Sequence, residues 1–287
     1  MGDQLHFRVL TSNDLGQMHR SFIEAFSTYK VEMKMSREAF EDRMLDKLHI
    51  DFNISPGVFS GDKLVGFIFQ TINNYEGQQS AYNGGTGVIP GYLGQNLTYR
   101  MYEFILPTLR SKGVKKCVLE VLEDNISAIK AYRKSGFEKT KDFQCLMLKE
   151  GILSRKGNIS FQMKVVSDFD INRFLPIGEI ESSMLDQLSQ VKYHLNKEMI
   201  LECLDDDHLI GYIVFQPHNG RIAQLAVKKE YRLQGIGTAL VSKAHQLSES
   251  KTLSVLNIET EQRGLIQFFE KMGFTCDLTQ FEMQRLI

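Results

Sequence analysis

The residues whose chemistry is easiest to state are Arg232, Leu233, Gln234, Gly235, Ile236, Gly237 and Thr238. They lie between the apolar run Leu225-Ala226-Val227 and a helical pattern that begins near Thr238. A strand, a glycine turn and a helix start aim unpaired backbone N–H groups at one point, and the helix dipole adds positive potential there. Such a turn suits a pyrophosphate. A side chain at Gly235 or Gly237 would obstruct close approach of backbone and phosphate, and the turn can also require positive φ. Taken alone, the pattern is equally that of a simple helix cap.

The first half carries a different set: Glu120-Val121, then Asn125, Ala128 and Tyr132, then Gly136-Phe137. The spacing N-x-x-A-x-x-x-Y-x-x-x-G-F resembles a signature of the GNAT (N-acetyltransferase) superfamily. The glycine turn of the second half resembles that family's R/Q-x-x-G-x-G/A motif, with the usual preceding V-x-x-x-Y present as Val227 and Tyr231 and a terminal Gly273-Phe274 downstream. The layout as a whole resembles tandem proteins of that family.

The resemblance implies an α/β fold with a mixed central sheet and flanking helices in each of two domains, and acetyl-CoA as cofactor. Two central strands would splay apart, with the pantetheine arm between them, hydrogen-bonded to the strand of Val88 in the first half or of Leu225, Ala226 and Val227 in the second. The pyrophosphate would rest on Gly94, Gln95, Asn96, Leu97 and Thr98 in the first half and on Arg232 to Thr238 in the second. Asn125 would contact the cofactor, and Tyr132 would stand beside its sulfur.

Attack of an amine on a thioester needs a deprotonated nucleophile, a polarised carbonyl and an acid for the departing thiolate. Tyr132 suits the acid role, because a phenol with a reference pKa near 10 keeps its proton at neutral pH. Glu120 is a candidate base, and the backbone N–H at or next to Val88 could polarise the carbonyl. Plainer roles stay open beside these: Tyr132 as a core aromatic, Glu120 as a solvated strand-end carboxylate, Asn125 as a helix cap.

Each half departs from the family pattern. In the first, Leu93 stands for the arginine or glutamine, Asn96 for the middle glycine and Thr98 for the final small residue; asparagine is the non-glycine residue that best tolerates positive φ. In the second, Phe269 stands where Tyr132 does and Gln262 where Asn125 does, and a phenyl ring has no proton to give. The expected activity is transfer of an acetyl group to an amine, with a small molecule as acceptor. The competing expectation is a CoA-binding regulatory or scaffold protein without turnover.

The positioning elements repeat along the chain. Val88 matches Val227 and Tyr92 matches Tyr231, both 139 residues apart, and Phe137 matches Phe274 at 137. Leu64 to Phe69 matches Leu209 to Val214, each after a polar turn, Gly61-Asp62 and Asp205-Asp206-Asp207, so both read as second arms of hairpins. Thr11 with Asp14 reads as a capping box, and Leu15, Met18, Phe22 and Phe26 as the core stripe of a helix. Met101, Tyr102, Ile105, Leu106 and Leu109 trace one helix, and Leu240, Val241, Ala244 and Leu247 its counterpart. The runs Cys117 to Val121 and Leu253 to Ile258 read as buried parallel strands. Domains are expected at residues 1–150 and 159–287, joined by the polar stretch Lys149 to Asn158.

The gross numbers agree with two globular domains. The chain has 287 residues, 43% hydrophobic and 24% charged, with 5 prolines, which is too apolar for disorder. A net charge of -1 without a basic run argues against nucleic acid, and no apolar run reaches the roughly 20 residues of a membrane span. The opening residues show neither a basic leader nor an apolar core of a signal, so a cytoplasmic location is expected. Cys117, Cys145, Cys203 and Cys276 stand far apart, which suggests reduced core thiols and no metal site. Neither glycine turn ends in G-K-[ST], which excludes a phosphate-loop kinase or ATPase. The acceptor walls would come from residues 22–55, with Tyr29, Glu32 and Asp51, and from 175–200, with Glu179, Glu181 and Tyr193; no pattern in them names an acceptor. Oligomeric state leaves no readable pattern either.

Overall fold

The computed structural model describes residues 4–27, 35–149, 160–178, 180, 183–193 and 195–287. Tyr29, Glu32, Glu179, Glu181 and the linker from residue 150 to 158 lie outside them. The chain divides into two compact units, one formed by Met1–Lys141 with Phe281–Ile287 and the other by Asp142–Gln280. The linear boundaries read from the sequence differ from this division, because they place 142–150 in the first unit and 281–287 in the second.

The first unit runs β1 (Leu5–Val9), α1 (Leu15–Ala25), α2 (Arg37–Glu41), β2 (Pro56–Ser60), β3 (Lys63–Tyr75), β4 (Gln78–Val88), α3 (Leu97–Ser111), β5 (Lys116–Leu122), α4 (Ile126–Lys134) and the start of β6 (Glu138–Leu148). Its strands lie in the order β1 to β5, antiparallel except for the parallel pair β4 and β5. The 15 residues of α3 make the crossover that such a parallel pair needs. The Thr11–Asp14 box is present: the Thr11 N–H donates to the Asp14 carboxylate at 2.8 Å, and Arg8 holds its other side at 2.7 Å. Met18 and Phe22 of the predicted stripe are buried, and so are all five residues of the α3 stripe.

Residues 281–287 complete this unit beside β5. Glu282 and Met283 are fully buried. Glu282 accepts hydrogen bonds from the Tyr75 hydroxyl and, at 2.7 Å, from Thr140, and Met283 joins the core under α3 and α4. Close by, Lys116 and Lys141 donate to Glu76, and against a counteracting desolvation they hold its carboxyl down at about 2. A carboxyl lowered by folding stabilises the fold above its unfolded pKa and loses that contribution as pH falls through the folded one. The first unit is therefore expected to weaken between about pH 4 and 2, a loss that Glu76→Gln should shrink in acid unfolding followed by circular dichroism.

The second unit runs from the end of β6 through β7 (Gln162–Val166), α5 (Ile171–Phe174), α6 (Leu188–Val191), β8 (Met199–Asp205), β9 (His208–Gln216), β10 (Arg221–Val227), α7 (Ile236–Leu247), β11 (Leu253–Glu259), α8 (Arg263–Lys271) and the start of β12 (Thr275–Leu286). Here β7 to β10 pair antiparallel in sequence, β11 joins β10 in parallel, and β6 joins β11 antiparallel. Both units are thus mixed sheets with flanking helices. Cys117, Cys145 and Cys203 are buried thiols as expected, whereas Cys276 is exposed, because β12 opens with three exposed residues. Among the described residues no helix is long and apolar enough to cross a membrane.

Candidate functional site

In the first unit β4 pairs with β5 only from Ser80↔Lys116 to Asn83↔Leu119, while Gly85 to Val88 continue on β3. Gly84 is the extra residue of a bulge, opposite the step from Phe69 to Gln70. A bulge increases local twist and turns the following strand away from its neighbour. Among the described residues the β5-facing edge of β4 beyond Asn83 is therefore open, without a strand partner, and its N–H and C=O groups can accept an extended chain of amides. The second unit repeats this: β10 meets β11 at Arg221↔Ser254 and Ile222↔Val255, has its extra residue at Ala223, and runs on along β9 to Val227. Val88 and Val227 sit at the same register, opposite Gly66 and Gly211.

Each open edge leads into a turn with the same backbone. Gly94 and Asn96 have φ of 79° and 55° before α3; Leu233 and Gly235 have 62° and 86° before α7. Asn96 thus takes the left-handed conformation that its matched glycine takes, as the sequence suggested. Leu233 adopts it with no side-chain support and is fully exposed, a costly conformation for a branched residue. Gln95, Leu97 and Thr98, like Gln234, Ile236, Gly237 and Thr238, carry the N–H groups at these helix starts, which have no intrahelical partner. A Cβ on Gly237 would sit 3.3 Å from the tip of the Phe268 ring, a tight contact that the ring would have to yield to. The Arg232 guanidinium donates to the Val227 carbonyl at 3.0 Å, bracing the turn. Where the first turn has Leu93 instead, Lys134 of α4 reaches over and donates to Asn96 at 2.7 Å. The sequence reading missed Lys134, whose only signal was its place two residues after Tyr132. Asn96→Val should cost about 1–2 kcal/mol through forced left-handed geometry, read by urea unfolding.

Side chains on the two faces of the open edge differ in kind. On β5, Leu119 and Val121 enter the core under α3 and α4; Glu120 alternates with them and points to the opposite face, where its carboxylate accepts a 2.5 Å hydrogen bond from the Tyr82 hydroxyl. Tyr132 lies on the α3 and α4 face, 8% exposed, with its ring 5.8 Å from that of Phe137. Next to it, Tyr102 is held well above its ordinary pKa by burial and by the proximity of Cys117 and Tyr132, and Asn83 donates to its hydroxyl at 2.8 Å. A proton donor on one face and a carboxylate on the other can serve the two ends of a reacting group lodged between β4 and β5. Asn125 caps α4, accepting from the Ala128 N–H at 3.1 Å. Asp51 caps the turn Phe52–Ile54, and Tyr193 is exposed against Lys192.

The second unit places other groups at these positions. Phe269 packs against Phe274 at 5.0 Å, as Tyr132 does against Phe137. Gln262 stands at Asn125, and the place of Glu120 falls on Leu256-Asn257, where β11 is bulged and Asn257 has φ of 54°. Leu225 and Ala226 are buried strand residues. Arg221, matching Tyr82, pairs with Asp186, and Gln224, matching Gly85, binds the backbone N–H of Ile180 at 2.8 Å and the carbonyl of Asp186 at 2.6 Å. Residues 180 and 186 are thereby fastened across β10, where the first unit has Gly85.

Comparison with known proteins agrees with this architecture. Residues 17–137 match the model described as Acetyltransferase (GNAT) family, and residues 196–276 the one described as Acetyltransferase (GNAT) domain. A curated relative, N-alpha-acetyltransferase 30 of Schizosaccharomyces pombe, is 31% identical over 90 residues, which is 28% of this chain and 60% of that protein. A tandem GNAT protein from the clavulanic acid biosynthesis pathway shares the fold over 99% of this chain and 98% of its own, with a TM-score of 0.73 at 14% identity. A GCN5-related N-acetyltransferase from Sphaerobacter thermophilus does so over 100% and 96%, at 0.72 and 13%.

Proposed function

This chain belongs to the GNAT acetyltransferase family as a tandem of two such domains whose cofactor is acetyl-CoA, and from that premise we propose that its first unit acetylates an amine while its second holds the cofactor without transfer. The observation that carries the reading is the pair Glu120 and Tyr132 on opposite faces of the open β4 edge, against Leu256-Asn257 and Phe269 at the matching places of the second unit. Bound acetyl-CoA would supply the activated acyl thioester. Gly94 to Thr98, with the Lys134 ammonium beside them, would bind the pyrophosphate of the first unit, and Arg232 to Thr238 that of the second. The backbone edge ending at Val88 would hold the pantetheine amides and polarise the acyl carbonyl. In the second unit the edge Leu225 to Val227 would hold them alone, and Asn125 would border the cofactor while capping α4.

Glu120 takes the proton of the attacking amine at its carboxylate, directly or through one water, and the Tyr132 hydroxyl gives its proton to the departing sulfur. Protons balance, since one is accepted and one donated in each turnover. The amine is read first as a small molecule. A peptide N-terminus is the second reading, favoured by the name of the curated relative. Thiol release from acetyl-CoA is the test, with spermidine, an aminoglycoside, free amino acids and short peptides as acceptors. Release that depends on an added amine supports transfer; binding of acetyl-CoA with no release under any acceptor favours a CoA-binding scaffold. Calorimetry of Gly235→Val should lose one of two acetyl-CoA sites, because the 86° φ found there strains a β-branched residue and its side chain obstructs close approach of backbone and phosphate. Full stoichiometry in that variant would remove the second unit as a binder.

A further inference from the structure

We propose that Tyr82 is a positioning residue for Glu120, a role that rests on Glu120 being the base of the first unit. The two side chains come from neighbouring strands at the point where those strands part. Tyr82 pairs in register with Val118, and Asn83↔Leu119 is the last pair. Glu120 is thus the first β5 residue past the paired region. A glutamate there, past the last pair with β4, has three rotatable bonds to be fixed. The phenol supplies a fixed donor to it. Its hydroxyl donates to Oε2 of Glu120 at 2.5 Å, the short distance of a charge-assisted bond, and the ring that carries it is 5% exposed and held in the sheet. A rigid, buried donor therefore sets the rotamer of a half-buried carboxylate at the mouth of the open edge, on the face opposite Tyr132.

The second unit supports the pairing of roles. It has lost both members together, with Arg221 at the place of Tyr82 and Leu256-Asn257 at the place of Glu120. Arg221 there turns to Asp186, so the position no longer serves β11.

A double-mutant cycle tests the coupling. Tyr82→Phe keeps the ring and removes only the donor. Thiol release from acetyl-CoA is followed with spermidine or a short peptide as acceptor, or with water where neither reacts. We expect kcat to fall about 10- to 100-fold in Tyr82→Phe, with the acetyl-CoA dissociation constant from calorimetry unchanged and the unfolding midpoint lowered only by the loss of one hydrogen bond. In a Glu120→Gln background the same substitution should remove no further activity. Equal losses in both backgrounds, or an unaltered kcat in Tyr82→Phe, would overturn the positioning role. Full activity of Glu120→Gln would instead overturn the base itself, and the inference with it.

Discussion

Tyr132→Phe is expected to lower turnover by roughly 10- to 1000-fold while leaving acetyl-CoA affinity unchanged. The substitution removes one oxygen from a ring that is 8% exposed. The molecule itself carries the control: Phe269 occupies the matching place on α8 and packs against Phe274 with ring centroids 5.0 Å apart. A phenyl ring therefore fits this environment, and loss of activity would report the missing proton donor instead of a misfolded site. Steady-state kinetics with calorimetry on the same preparation measure both quantities. Unchanged turnover would sink the assignment of the first unit as the catalytic one. The reverse substitution, Phe269→Tyr, should not confer transfer on the second unit, since no carboxylate stands at the place of Glu120 and Gln224 holds Ile180 and Asp186 across the strand.

A chain ending at Gln280 should lose the first unit's cooperative fold. The seven residues removed would take with them the fully buried Met283 and Glu282, the hydrogen bond from the Ile287 N–H to the Lys115 carbonyl at 3.0 Å, and the Arg285 pairing with Glu103 at 3.0 Å. Burial of Met283 alone is worth about 2–5 kcal/mol, and Tyr75 and Thr140 would each lose the carboxylate they donate to. Against a domain stability of about 5–15 kcal/mol, that sum is decisive. Differential scanning calorimetry should show the truncated chain without the first unit's transition. Met283→Ala, a milder change, should lower it without abolishing it. An undisturbed first transition in both would mean that residues 281–287 do not belong to that core.

The family, the two glycine turns before the helices and the mixed sheets were legible in the sequence, and Glu120, Asn125 and Tyr132 were picked out there as candidates. The reason is that each depends on local chemistry. Glycines at fixed spacing, apolar runs and capping residues act over a few positions, and a duplicated unit shows them twice. Even the tolerance of the first turn for Asn96 followed from the residue type, and its φ of 55° agrees.

Other features came only from the folded chain. Tyr82 lies 38 positions from Glu120, and so does Lys134 from Asn96, so no spacing rule could join them; strand register and helix placement do. The stretch 281–287 belongs to the first unit although it ends the chain, because it lies beside β5, and hydrophobic periodicity carries no address for its neighbour. The sequence by itself determined which chemistry each half can support, since that resides in side-chain types such as tyrosine against phenylalanine. Only the tertiary structure decided which face of the open edge each group occupies, because strand register and helix placement set it.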